Sequence, residues 1–559
     1  MSRSPKRPTL GDTHGALLEG LLQRMGQAGK LPKSTSTIVA PIIEKPIAAA
    51  PGKQSRELTP TRLVSSRSAT PLPPFNAAKN RQPITTVSRQ PASSFTPSTP
   101  PPVKPKPPEH EWPDERRRKA AIRVRATVAA AFPSPDEERP SNVSDATRLQ
   151  IAEAVTRGAE IWATDPMPDL DNGFIVGLDF GTSAVKLAVR QPYISGDPVR
   201  ALETPADLQS RAQPHPYLWP TVVWFNPADG RFQLVPSEGA IALDGFKSGL
   251  IAGKGKEPAN PLVAVSRAEA CVAFLALQLT YFLGRYAIVR PLGEVGGEHF
   301  LSINIGVPVH SMAQRDVVSA FARVVAAAVS ACPMTPYLTL ADVHHAHTVA
   351  QPVLPPGFEL VPELTAAIAG YVAEPTARSG QHMLVDVGAA TLDIVAFNLL
   401  RRGEQVSVFA GEVEMFGAAS MGWATAAGVS APTFKDACDH QFDTVFSKAR
   451  DQDPIGFDPR YRKNVVSLIK TGGGCATTLH EKFIAEMVGP NVLGASTIES
   501  PEPPASITSR KSDRGRLLLA YGLTRDVTEL AHCRLPDEIS AWTAVSRRAP
   551  MGAVSKDQV

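Results

Sequence analysis

The sequence predicts a mixed α/β fold assembled from two similar halves behind a long basic N-terminal tail. Three observations predict it. Composition changes sharply near residue 113; apolar β-rich runs alternate with Ala-rich helical stretches from Phe174 onward; and two strand-Asp-Gly-hydroxyl-strand hairpins lie about 200 residues apart.

The tail comes first. Residues 1 to 108 hold 16 Lys or Arg against Asp12, Glu19, Glu44 and Glu57, a net charge of +12, so the whole-chain charge of +4 leaves the remaining 451 residues at −8. Prolines cluster there with Ser and Thr, and such a stretch buries too little apolar surface to offset its ordering entropy. Residues 1–113 are therefore expected to be disordered. Within them, Leu10, Leu17, Leu18, Leu21, Leu22 and Met25 recur at helical spacing, which predicts a short amphipathic helix over 10–26, either transient or docking on an unidentified protein partner.

Residues 114–170 read as a helical linker. Arg116, Arg117, Arg118, Lys119, Arg123 and Arg125 lie along one helix, a pattern that can meet phosphate backbone, an acidic surface or solvent alone; without aromatic interleaving, nucleic acid is not indicated beyond the charge itself. A second helix, Ser144 to Trp162, opens with a capping sequence and leads to a Pro- and Asp-rich turn at 165–171.

The globular part follows, with boundaries at about 174 and 545 and a flexible end at 546–559. Strand-like runs at Phe174 to Leu178, Val222 to Phe225, Leu301 to Val307, Met383 to Val387 and Ile394 to Phe397 alternate with helical stretches at Arg267 to Leu283 and Ala313 to Ala331. Five widely spaced cysteines with no CxxC pair fit a reducing cytoplasm, and the charge-free apolar run Ala270 to Gly284 is 15 residues, short of a bilayer span, so no membrane span is expected.

The chemistry concentrates in the hairpins. In Gly173 to Arg190, a strand reaches Asp179, turns at Gly181, presents Thr182 and Ser183 and returns through Ala184 to Val189. Gly181 removes a Cβ that would block backbone approach to a phosphate, the amides and hydroxyls that follow are donors, Asp179 can hold hydrated Mg²⁺, and Lys186 can add a cation. His382 to Leu399 repeats the pattern with Asp386, Gly388, Thr391 and Asp393. Two such hairpins imply two halves clamping one nucleotide.

These residues resemble a family, the actin-like ATPase superfamily of actin, sugar kinases and heat-shock protein 70 (DnaK-like) chaperones, over about Phe174 to Leu523. Asp179-Phe-Gly-Thr-Ser is similar to its first phosphate loop and Asp386-Val-Gly-Ala-Ala-Thr-Leu-Asp393 to its second. Ser302 to Phe321 resembles the first connecting segment, Glu363 to Val372 the chaperone Glu-Pro-Thr-Ala-Ala-Ala stretch, Lys470 to Ile484 the adenosine loop, and Leu517 to Leu523 the closing Ala-x-Gly-Ala helix. The resemblance implies a two-lobed actin-like ATPase fold, a duplicated ribonuclease H-like architecture, with ATP and Mg²⁺ as cofactors. It implies that Asp179 and Asp386 organise the metal; that Thr182, Ser183, Lys186, Gly388, Ala389 and Thr391 stand at the phosphates; and that Gly472, Gly473 and Gly474 lie against adenosine. Glu363 would position the attacking water, and Lys247, in a stretch similar to the one after the chaperones' Thr-Pro-Ser-x-Val-x-Phe, would stabilise charge on the γ-phosphate.

Three departures bear on function. Ala389 and Ala390 replace glycines in the second phosphate loop; about 80 residues separate Asp393 from Gly472, which predicts a small or absent adenosine-covering lobe; and 36 residues follow Leu523, too few for a chaperone's peptide-binding domain. The expected function is an ATP-binding, slowly hydrolysing switch. The alternatives are a sugar-type kinase and a non-hydrolysing scaffold or filament subunit. Asp342, His344, His345 and His347 are read as a surface loop rather than a metal centre.

Overall fold

The computed structural model of the chain describes residues 113–130, 143–164, 173–209, 215–288, 290, 302–309, 314–400, 405–458, 465–489, 492–493, 498–508, 510–525 and 533–534. The tail with its helical stretch at 10–26, the turn at 165–171 and residues 546–559 lie outside the described residues.

Apolar runs of the first half pair into one sheet. β1 (Ile175–Phe180) and β2 (Ala184–Arg190) form the first hairpin; β3 (Val199–Ala201) and the short β4 (Trp219–Pro220) both pair with β2. A separate three-stranded sheet follows, of β5 (Val223–Asn226), β6 (Arg231–Gln233) and β7 (Ile241–Leu243). β8 (Ser302–Val307) and β9 (Phe358–Pro362) then extend the first sheet to the order β3-β2-β1-β8-β9. β1 and β8 are buried at every position because both lie inside the sheet and helices cover it, which is why they read as continuous apolar runs rather than alternating ones.

The second half repeats the pattern. β10 (Gly380–Val387), β11 (Leu392–Leu400), β12 (Gln405–Glu414), β13 (Ser467–Thr471), β14 (Ile498–Glu499) and β15 (Cys533–Arg534) form a sheet of order β14-β13-β10-β11-β12-β15. The series β3-β2-β1-β8-β9 and β12-β11-β10-β13-β14 share one sequence of pairings: antiparallel, antiparallel, parallel, parallel.

Helices fill both cores. α1 (Pro113–Ala130) and α2 (Asp145–Ala163) precede the sheets, followed by α3 (Phe246–Ile251), α4 (Arg267–Tyr286), α5 (Arg315–Ala331), α6 (Leu340–Val349) and α7 (Glu363–Val372). The second half adds α8 (Ala418–Ala426), α9 (Ala431–Gln452), α10 (Thr478–Met487) and α11 (Leu518–Leu523). β12, α8 and α9 occupy the interval between Asp393 and Gly472, so among the described residues no separate covering subdomain is inserted there.

Two features differ from the sequence reading. Residues 114–170 were expected to form a linker, yet both of its helices are core elements. α2 crosses α4 with backbones in close approach: a Cβ on Gly158 would sit 1.9 Å from Thr280 O, and one on Gly284 1.9 Å from Ala154 O. α1 buries Ala121, Val124 and Val128 in the second core. Its arginines meet the acidic face of α9 and the end of β12, with Arg116 2.9 Å from Asp436, Arg117 2.5 Å from Asp443 and Arg125 2.5 Å from Glu414. An acidic surface for this helix thus exists within the chain itself.

The second difference is α6, where a loop was expected. Thr339 and Asp342 form a reciprocal capping box that starts a helix through the histidines. His344 Nδ1 lies 2.7 Å from Glu269, and among the described residues no three His, Cys, Asp or Glu side chains converge to hold a metal ion. The stretch Arg315–Tyr337 is the one helix among the described residues long and apolar enough, by length and composition, to cross a membrane. Within it, Phe321, Val324, Val325 and Ala328 are buried in the first core.

Candidate functional site

Each hairpin carries its carboxylate at the end of a buried strand, and the cross-strand register decides what faces it. Asp179 is registered with Lys186, whereas the same position of the second hairpin pairs Asp386 with Asp393. The Lys186 ammonium closes on Asp179 Oδ2 at 2.5 Å. The second hairpin has no such cation. Asp393 is 2% exposed and its Oδ1 has no hydrogen-bond partner among the described residues.

The turns are shaped by glycine. At Gly181 an added Cβ would lie 2.3 Å from Ala184 O, so the tight turn admits no side chain, and Thr221 Oγ1 fixes it by donating to Gly181 O at 2.8 Å. In the second loop, the carbonyls of Ala389 and Ala390 accept from Ala419 N and Gly417 N at 2.7 and 2.9 Å, and Ser420 Oγ donates to Ala390 O at 2.7 Å. The first amides of α8 are therefore taken by the loop itself. Ala390 is buried at 1% exposure, while Ala389 is half-buried at the cavity wall.

A third side comes from residues 472–474. Gly472 has φ +85°, and a Cβ there would sit 2.1 Å from Asp386 Oδ1 and 2.3 Å from Val387 O. The chain then enters a single 3₁₀ turn and α10, capped by Thr477.

These three segments, with α3 and α7, enclose a cavity of about 510 Å³. Its lining includes Asp179, Gly181, Thr182, Ser183, Lys186, Lys247 and Glu363 from the first half, and Asp386, Gly388, Ala389, Thr391, Gly472, Gly473 and Gly474 from the second. Every residue that the sequence assigns to the nucleotide site thus lies on one surface. Lys247, placed by sequence in a Gly-rich stretch, is a buried helical residue whose Nζ donates to Glu363 Oε1 at 2.8 Å. Sequence reasoning named Asp393 without giving it a role. It missed Arg516 and His215, since an isolated Arg or His carries no spacing signal, and it named the stretch Leu517 to Leu523 without placing Leu519 at the site.

Charge in the cavity is unbalanced. Burial pushes Asp386 up to about 7, opposed by Lys186 and reinforced by Asp179 and Glu363. Asp386 still keeps part of its surface open to the cavity. Burial raises Asp393 well above the usual carboxylate range, with Glu363 and Asp386 adding to it, and raises Glu363 despite Lys247. Such a site gains by taking in positive charge, which would return Asp386 and Asp393 to carboxylates. No three such ligands converge here, so a divalent cation would need oxygens from a bound ligand and water, the coordination Mg²⁺ favours. No protein-family model matches this sequence, and no curated protein matches it.

Proposed function

We propose that the chain binds ATP with Mg²⁺ in this cavity and hydrolyses it slowly as a conformational switch, in the manner of an actin-like ATPase close to the nucleotide-binding domain of heat-shock protein 70. The observation that carries this reading is the shared order and sense of the two sheets, each delivering an Asp-bearing hairpin to opposite sides of one cavity.

Asp386 and the orphaned Oδ1 of Asp393 fit a divalent cation, and Gly472 leaves the space beside Asp386 that a side chain would fill. When bound, Mg²⁺ would supply charge neutralisation at the phosphate oxygens. Thr182 and Ser183 offer donors on one side of the phosphates and Thr391 on the other, while Gly181 and Gly388, whose amides donate to Asp179 O and Thr391 O, keep the two turns free of side chains. The buried Lys247–Glu363 pair fixes both groups: the ammonium faces charge developing on the terminal phosphate while the carboxylate orients water.

A non-hydrolysing scaffold is the second reading. It is favoured by the alanine loop, whose carbonyls are committed to α8 and whose Ala389 stands in the cavity lining.

Titration with ATP and Mg²⁺, followed by phosphate release without an acceptor, separates the readings. Binding with slow release supports the switch, binding without release the scaffold, and turnover only with a sugar acceptor a kinase. Absence of binding rejects the nucleotide reading. In the same assay Asp179→Ala is expected to abolish Mg-dependent binding, and unchanged affinity would remove Asp179 from the site.

A further inference from the structure

Three Lys or Arg side chains line the cavity, and two are already paired: Lys186 with Asp179 and Lys247 with Glu363. The third, Arg516, is half-buried and has no hydrogen-bond or ion-pair partner among the described residues. Burial lowers its pKa, and no neighbouring charge opposes that fall. A desolvated cation without a counter-charge is costly, and only the cavity is open to supply one.

Its position is fixed by packing. Arg516 precedes α11, which is pressed backbone to backbone on α7: a Cβ on Gly522 would sit 1.8 Å from Ala366 O. From there the guanidinium reaches over the glycine loop, where a Cβ on Gly473 would lie 1.8 Å from Arg516 Nη2. Gly473 therefore serves the arginine as much as it serves a ligand.

We propose that Arg516 binds the phosphate-bearing part of the ligand, so that the site selects a nucleoside phosphate over the free nucleoside. This rests on the nucleotide reading above and assigns its specificity to one residue. A planar guanidinium held at a cavity wall matches phosphate oxygens in two-point contact, and an anion there would satisfy the charge that the protein leaves unpaired.

The test is calorimetric titration of the full chain with MgADP, adenosine and inorganic pyrophosphate, in wild type, Arg516→Met and Arg516→Lys. Arg516→Met is expected to weaken ADP and pyrophosphate by at least about ten-fold, with Arg516→Lys intermediate, as loss of a charge-assisted contact implies. Adenosine affinity is expected to stay within about two-fold, and the ligand-free melting temperature not to fall, because an unpaired buried cation is being removed. A parallel loss of adenosine affinity would assign Arg516 to the base, and unchanged ADP affinity or a lowered ligand-free melting temperature would make it structural; each overturns the proposal. Wild type that binds pyrophosphate but neither adenosine nor ADP would reject the nucleotide reading while leaving Arg516 as an anion site. Wild type that binds none of the three rejects both.

Discussion

Lys247 Nζ lies 2.8 Å from Glu363 Oε1, with both side chains at 10% exposure or less, so helices α3 and α7 are joined at the cavity wall by a buried ion pair. Removing one partner leaves the other charge buried and uncompensated. Lys247→Met or Glu363→Gln alone is expected to destabilise the fold by roughly 3–5 kcal/mol, while the double variant recovers most of the loss. Denaturant unfolding of the three variants reads this directly; additive single effects would show that the two side chains act independently.

Glycine dependence should differ sharply between the loops. Gly472→Ala must adopt a positive φ and place a methyl 2.1 Å from Asp386 Oδ1, whereas Gly388→Ala meets its nearest atom at 3.3 Å. The first is expected to cost roughly 1–3 kcal/mol, as for a strained non-Gly position, and the second less than about 1 kcal/mol. Thermal unfolding of both variants checks the order.

The pH dependence follows from Asp386. Its folded pKa, about 7, lies above that of an unfolded carboxyl, so the folded state holds the extra proton between these values. Its contribution to stability is fully present below the unfolded pKa and is lost as pH rises through about 7. Asp386→Asn removes this loss, so its stability relative to wild type is expected to grow as pH rises through that window and to level off above it. A difference that does not change with pH would contradict the assignment.

The docking of α1 divides into strong and weak contacts. Val124 and Val128 are fully buried, whereas Arg117 keeps 30% of its side-chain surface exposed and Arg125 44%. Val124→Ala is expected to cost roughly 1–3 kcal/mol. Arg117→Ala or Arg125→Ala is expected to cost about 1 kcal/mol or less, and less still at high salt. Unfolding at two ionic strengths distinguishes the apolar anchor from the ion pairs.

Much of the local structure was legible before any coordinates. The strands on either side of Asp179 and Asp386 announce themselves by β-branched runs broken at glycine, and the Gly472 to Gly474 run by its composition. α6 is not legible as a helix, because its start depends on a reciprocal contact between Thr339 and Asp342 and the polar histidines that follow mask its apolar face. The anchoring of α1 was hidden for another reason: its six cations dominate the composition, while the residues it sends into the second core, Ala121, Val124 and Val128, are small.

The sequence by itself determined the α/β class, the hairpins with their carboxylates and the glycine loop, since these depend on backbone preferences and on side-chain alternation over a few residues. Tertiary structure alone decided the partners of the charges. Lys247 meets Glu363 across 116 residues, Arg516 comes to lie over Gly473, and Asp393 is left without a partner for Oδ1 among the described residues. Coulomb attraction and desolvation depend on distance through space and on burial, and chain spacing fixes neither.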